Sequence, residues 1–328
     1  MGQTRLRLGA IIGLVAAAHL YGQTQLSQGY PPPGLLVDIG ARRLHLYCTG
    51  KGGPTVILMA GGSAYSIDWA LVQPRVAEKT RVCSYDRAGL GWSDPGPADE
   101  TVEQTIGDLH ALLHAAREDG PYLLVGASIG GPFIEAYRRA YPDEVAALVF
   151  TNSSNRIGTS VKGKIGLIWD LSEDDIRSVF PLPPSVRRAE PTHEGEPFDR
   201  LPRDLQAVRL WLDSRLWERT DPAKATPDSL LSWRKEFLKE FDETAAAKQP
   251  PLDDLPVVVL SSGQAATEAQ HKTRDVATAL LDFLSSNTVH LVATGSGHEI
   301  HLYQPEIVVQ AVLRAVSAAR NHTRLSHP

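Results

Sequence analysis

Apolar residues in this chain fall into short continuous runs separated by stretches of helical spacing. Thr55–Ala60, Tyr122–Val125, Val145–Phe150 and Val257–Leu260 are almost unbroken apolar runs, as expected of strands buried on both faces. Leu35–Asp38 and Arg43–Cys48 read as a strand pair joined through Gly40, and Arg81–Tyr85 and Thr288–Val292 as further strands. Between them, Val102–Arg117 places Ile106, Leu109, Leu113 and Ala116 on one helical face. Ile129–Tyr141 reads as a helix stopped by Pro142, with Pro132 in its first turn, where a missing N–H costs little. Thr273–Leu284 and a segment from Pro305 to about Arg320 complete the helices.

Alternation of buried strands and helices predicts an α/β fold, a mostly parallel sheet covered on both faces. It lapses between Thr151 and Leu255. There the pattern gives amphipathic helices and Pro-rich turns, with no convincing strand. Ser172 with Asp175 resembles a capping box, and Thr226-Pro227 opens a helix carrying Leu230, Trp233, Phe237 and Phe241. The organisation predicted is a leader and linker over 1–33, a core over 34–151, a helical insertion over 152–255, and the rest of the core over 256–328.

Composition narrows the function classes. The 328 residues carry 33 Lys and Arg against 38 Asp and Glu, a net charge of −5, with no basic cluster to hold nucleic acid. At the N-terminus, Arg5 and Arg7 precede an apolar stretch over residues 8–20, short for a membrane span and suited to a signal-peptide core. This predicts export (periplasmic, secreted or anchored through residues 8–20), the alternative being a cytoplasmic protein with a buried N-terminal helix. His110 and His114 have i,i+4 spacing but lack the zincin Glu, and are read as a solvated face, so no metal site is predicted. No Walker loop or dinucleotide fingerprint occurs, and no cofactor is predicted.

Gly126-Ala127-Ser128-Ile129-Gly130 matches G-x-S-x-G. The motif is short, but it lies directly between a buried strand and a helix, the context of a nucleophile elbow. Side chains at its glycines would collide with neighbouring elements. A serine hydroxyl needs a base. Gly295-Ser296-Gly297-His298 follows the last strand, so His298 is the candidate, with His301 its only nearby rival. For the oxyanion, the N–H of Ile129 and one from the turn after Ala60, Gly62 or else Ser63, are the expected donors.

At this point the chain resembles the α/β-hydrolase superfamily. The resemblance is carried by the Ala60–Ser63 turn, the run Ser84-Tyr85-Asp86-Arg87-Ala88-Gly89-Leu90-Gly91-Trp92-Ser93-Asp94, the serine elbow and Ser296-Gly297-His298. The Asp86–Asp94 run is similar to esterases and proline-iminopeptidase-like members. The resemblance implies the α/β-hydrolase fold with an inserted helical cap. It also implies adjacent second and fourth strands, which would let Cys48 and Cys83 meet in a disulfide; the alternative is two buried thiols. The family's acid usually follows the seventh strand, but the nearest carboxylate here, Glu268, comes about two residues late. Other members carry it after the sixth strand, where this chain has Asn152. Both remain candidates for the third catalytic position, the remaining alternative being a Ser-His dyad or an acid elsewhere in the chain. Asp86 and Arg87 are read as structural, tying the strand end to neighbouring loops.

The function expected is a serine hydrolase acting on a small carboxylic ester or lactone, with no nucleic-acid partner. Trp169 and Trp211 are candidate pocket residues. The alternatives are an amidase or aminopeptidase, a non-catalytic binding protein of the same fold, and a membrane-tethered interaction protein.

Overall fold

The computed structural model describes residues 29–96, 101–153, 158–161, 164–167, 174, 195–219, 252–263 and 285–325. The predicted leader, the Ser172 and Thr226 helix starts, the Thr273–Leu284 helix, Trp169 and Glu268 lie outside these residues.

All eight predicted core strands form one sheet. They are β1 (Leu35–Asp38), β2 (Arg43–Thr49), β3 (Thr55–Met59), β4 (Val82–Tyr85), β5 (Tyr122–Ala127), β6 (Val145–Thr151), β9 (Val257–Ser262) and β10 (Thr288–Ala293), in the order β1-β2-β4-β3-β5-β6-β9-β10. The first two pairings are antiparallel and every later one is parallel. The central strands β3, β4, β5 and β9 are buried throughout, which is why β3, β5 and β9 read as almost unbroken apolar runs. Edge strand β10 alternates buried and exposed positions.

Pleating sends alternate side chains into two cores. Ile57, Met59, Leu124, Leu148 and Phe150 pack with Leu109, Leu112 and Leu113 of α2 (Val102–Ala115) and Phe133, Ile134 and Tyr137 of α3 (Gly130–Ala140). On the other face, Val56, Leu58, Leu123, Val125 and Val149 pack against Val76 of α1 (Gln73–Ala77) and Val308, Val312 and Val316 of the C-terminal helix. Each fully buried Val or Leu contributes about 1.5–3 kcal/mol of burial. The sheet is therefore a rigid platform whose strand ends can carry loops.

The expectation of a strand-free stretch after Thr151 is corrected. Gly158–Val161 (β7) and Lys164–Leu167 (β8) form a small antiparallel hairpin. Four-residue strands with Gly in each gave no period-two signal to read. The main described helix of the insertion is α4 (Arg203–Arg219). It is pinned to the core by buried Arg209, whose guanidinium donates to Asp68 at 3.0 Å and to Asp213 at 2.8 Å. Downstream, α5 (Ile300–Tyr303) and α6 (Pro305–Asn321) close the chain.

Cys48 and Cys83 sit directly opposite one another on β2 and β4 and are joined in a disulfide. Among the described residues, no helix is long and apolar enough to cross a membrane.

Candidate active site

Ser128 sits where β5 turns sharply into α3, in the left-handed backbone region (φ 51°). A non-glycine residue held there is strained, and the surroundings enforce it. The Ser128 N–H donates to Thr151 O at 3.2 Å, and its carbonyl accepts from Gly131 N–H at 3.1 Å and Ser153 Oγ at 2.6 Å. The flanking glycines are needed for close approach. A Cβ at Gly126 would lie 2.5 Å from Gly130 O, and one at Gly130 would lie 2.8 Å from Met59 O. Ile129 forms the N-cap of α3, where backbone N–H groups have no intrahelical acceptor.

The loop after β3 runs alongside the serine. A Cβ on Gly61 would be 3.4 Å from Ser128 Cβ. The Arg87 guanidinium shapes this loop, donating to the carbonyls of Ala60 (2.7 Å), Gly61 (2.7 Å) and Gly62 (2.6 Å). Three successive carbonyls drawn to one cation turn the peptide planes together, the arrangement that directs amide N–H groups away from Arg87. The structural role expected of Arg87 is thus to hold this loop. Its anchoring of the turn after β3 was not legible, because no local pattern records which carbonyls a guanidinium will meet. Asp86 accepts from Ser66 N–H (2.7 Å) and Trp92 N–H (3.2 Å) and contacts His45 Nδ1 at 2.8 Å, all of them buried.

His298 lies in the loop after β10. That loop is held by Gly295 N–H donating to Gln304 Oε1 at 3.0 Å. Its ring is exposed, and Asn152 Nδ2 lies 2.6 Å from His298 Nδ1. Asn152 directly follows β6, in the left-handed region (φ 43°) that Asn tolerates better than most residues. Its own N–H donates to Leu260 O at 2.7 Å, and its Oδ1 accepts from Ser262 N–H at 3.2 Å. Ser128 and His298, 170 positions apart in sequence by subtraction of their numbers, thus meet the same strand end. One bonds to Thr151, the other to Asn152. No hydrogen bond joins the Ser128 hydroxyl to His298 among the described residues.

These contacts fix the amide. A backbone N–H only donates, so Oδ1 must face Ser262 and the amide NH₂ must face the imidazole. In that arrangement Nδ1 of a neutral His298 ring is placed to accept, which favours the tautomer with its proton on Nε2.

The rival His301 is buried, and its ring packs 4.7 Å from that of Trp69. Burial holds its pKa down at about 3, with the neighbouring His298 and Arg209 adding to the effect, so it stays neutral. Trp211 packs against Tyr30 and Trp92, with ring centroids 5.7 and 6.3 Å away. Together with Arg43, Asp94 and Arg215 these aromatics line a cleft of about 440 Å³, and none of Ser128, Asn152 and His298 lines it.

A mostly parallel sheet with a strained serine at a strand-to-helix turn defines a class, the α/β hydrolases. The chain belongs to the alpha/beta hydrolase family, whose model matches residues 56–311. Over 272 residues it is 24% identical to the uncharacterized protein YqjL of Bacillus subtilis, covering 82% of this chain and 86% of that one. It is 29% identical over 127 residues to the probable transporter efuK of Hormonema carpetanum, covering 36% of this chain and only 18% of that protein's length. Among solved structures it is similar to a thermophilic esterase from Thermogutta terrifontis (21% identity, TM-score 0.56), over 85% of this chain and 94% of that one.

Proposed function

We propose that this hydrolase cleaves a small carboxylic ester or lactone through an acyl-enzyme on Ser128. The supporting observation is the anchoring of the Ser128 turn and of His298 on consecutive residues at the end of β6. In the His298 tautomer that carries its proton on Nδ1, Ser128 Oγ attacks the acyl carbonyl while its proton passes to the free Nε2 lone pair. The tetrahedral oxyanion accepts hydrogen bonds from Ile129 N–H and from Gly62 N–H in the loop tied by Arg87. Collapse expels the alcohol, which takes the proton from His298. Water then enters by the reverse sequence and releases the acid.

Asn152 is the third member on this reading. A carboxylate from Glu268 would have to displace the Asn152 amide from His298 Nδ1. The amide makes the enzyme slow, because the ring must carry its proton on Nδ1 to accept one at Nε2. Export accords with the Cys48–Cys83 disulfide, since such bonds persist in oxidising compartments.

A second reading, a binding protein of the same fold, is favoured by the same Asn152 amide. The two separate on treatment with a fluorophosphonate probe and an activated ester. The hydrolase labels stoichiometrically and releases a burst of product, and both are lost in Ser128→Ala and in His298→Ala. No labelling, or labelling that survives Ser128→Ala, refutes it.

A further inference from the structure

Helical spacing alone makes His110 and His114 a solvated pair on one face of α2. The fold brings a third donor to them. Glu144, in the turn between α3 and β6, places Oε1 3.1 Å from His110 Nε2 and 3.2 Å from His114 Nε2. Bonds of about 2.0 Å at tetrahedral angles put neighbouring donor atoms about 3.3 Å apart. The two N···O separations already have that size.

The surroundings orient each donor. The His110 ring stacks on Tyr141, with centroids 4.0 Å apart and planes within 10°. The His114 ring lies 4.3 Å from that of His110. Tyr137 donates its hydroxyl to Glu144 Oε2 at 2.7 Å, leaving Oε1 as a single-point donor. A partner on the second oxygen is how ligating carboxylates are usually held. His114 lies in the last turn of α2, where the helix dipole favours a cation. Its side chain is 59% exposed and that of Glu144 26%, so a fourth position opens to solvent.

We propose that His110, His114 and Glu144 form a binding site for one borderline divalent transition-metal ion, Zn²⁺ in the first instance. Two imidazoles and one carboxylate suit Zn²⁺, Co²⁺ and Ni²⁺ and disfavour Ca²⁺ and Mg²⁺. On binding, each neutral ring gives its Nε2 lone pair to the metal and keeps its proton on Nδ1. The site lies at the N-terminal end of β6, and Asn152 follows the C-terminal end. A seven-residue strand of about 3.3 Å per residue puts roughly 23 Å between them. The ion clasps α2 to the α3–β6 turn and takes no part in acyl transfer.

The test uses the full chain with any affinity tag removed and metal stripped by a chelator, titrated calorimetrically with ZnCl₂ and followed in the visible region with CoCl₂. One Zn²⁺ per chain is expected, bound at least tenfold more weakly by His114→Gln, whose exposed ring can be exchanged without disturbing the core. Glu144→Gln should weaken binding similarly. Co²⁺ should give the intense visible band of a four-coordinate site. Wild-type affinity no better than that of His114→Gln, or a Co²⁺ spectrum unchanged from the aqueous ion, overturns the proposal.

Discussion

If the proposed acyl transfer is right, replacing Asn152 by Asp should raise its turnover. The two side chains have nearly the same shape, so the 3.2 Å contact with Ser262 N–H is kept by one carboxylate oxygen. The other oxygen takes the place of Nδ2, 2.6 Å from His298 Nδ1. An oxygen there accepts where the amide donates. The imidazole must then carry its proton on Nδ1, and the Nε2 lone pair becomes available to Ser128. In a serine protease the reverse exchange lowers turnover about 10⁴-fold through the wrong tautomer. That factor corresponds to about 5.5 kcal/mol of transition-state stabilisation. The exposure of His298 lets water share part of the effect, so a gain of roughly 10²–10⁴ in kcat is expected. KM should change little, because Asn152 contacts the base and not the acyl group. The assay is steady-state hydrolysis of an activated acetate ester by wild type, Asn152→Asp and Asn152→Asp with Ser128→Ala. A kcat within threefold of wild type would show that His298 is not governed by this amide. A gain that survives loss of Ser128 would place the chemistry elsewhere.

Arg87→Met should lower kcat roughly 10–100-fold with a smaller change in KM, since three loop carbonyls lose their donor while the nucleophile is untouched. An unaltered kcat would mean that the turn after β3, the proposed oxyanion site, holds its shape without the guanidinium. Reducing the Cys48–Cys83 disulfide, which spans 35 residues, should cost up to about 4 kcal/mol by loop entropy and lower Tm on the order of 10 °C. Identical melts with and without reductant count against this. Burial pushes the Asp68 carboxyl up to about 6 from an ordinary 3.8, with Arg209 opposing. The native state therefore holds a proton that the unfolded chain releases, and this group's contribution to stability falls as pH rises from about 4 to about 6. Urea midpoints across that range should show this slope in wild type and lose it in Asp68→Asn; parallel slopes would refute the assignment.

Strands β3, β5, β6 and β9 announced themselves because burial on both faces demands apolar residues at every position, a demand written locally. The serine elbow was legible for a similar reason: the turn requires glycine at 126 and 130, and the requirement lies within five consecutive residues. His298 followed from its place after the last strand. The sequence could not say which group would meet His298 Nδ1, since that depends on β6 and β9 being paired so that Asn152 and Ser262 lie side by side. Nor could it join Glu144 to His110 and His114, or Arg87 to the turn after β3, because these partners come from separate elements. Local sequence fixes what each segment must bury and how sharply it turns. Which polar atoms then face one another depends on strand register and helix placement, and only the folded chain sets those.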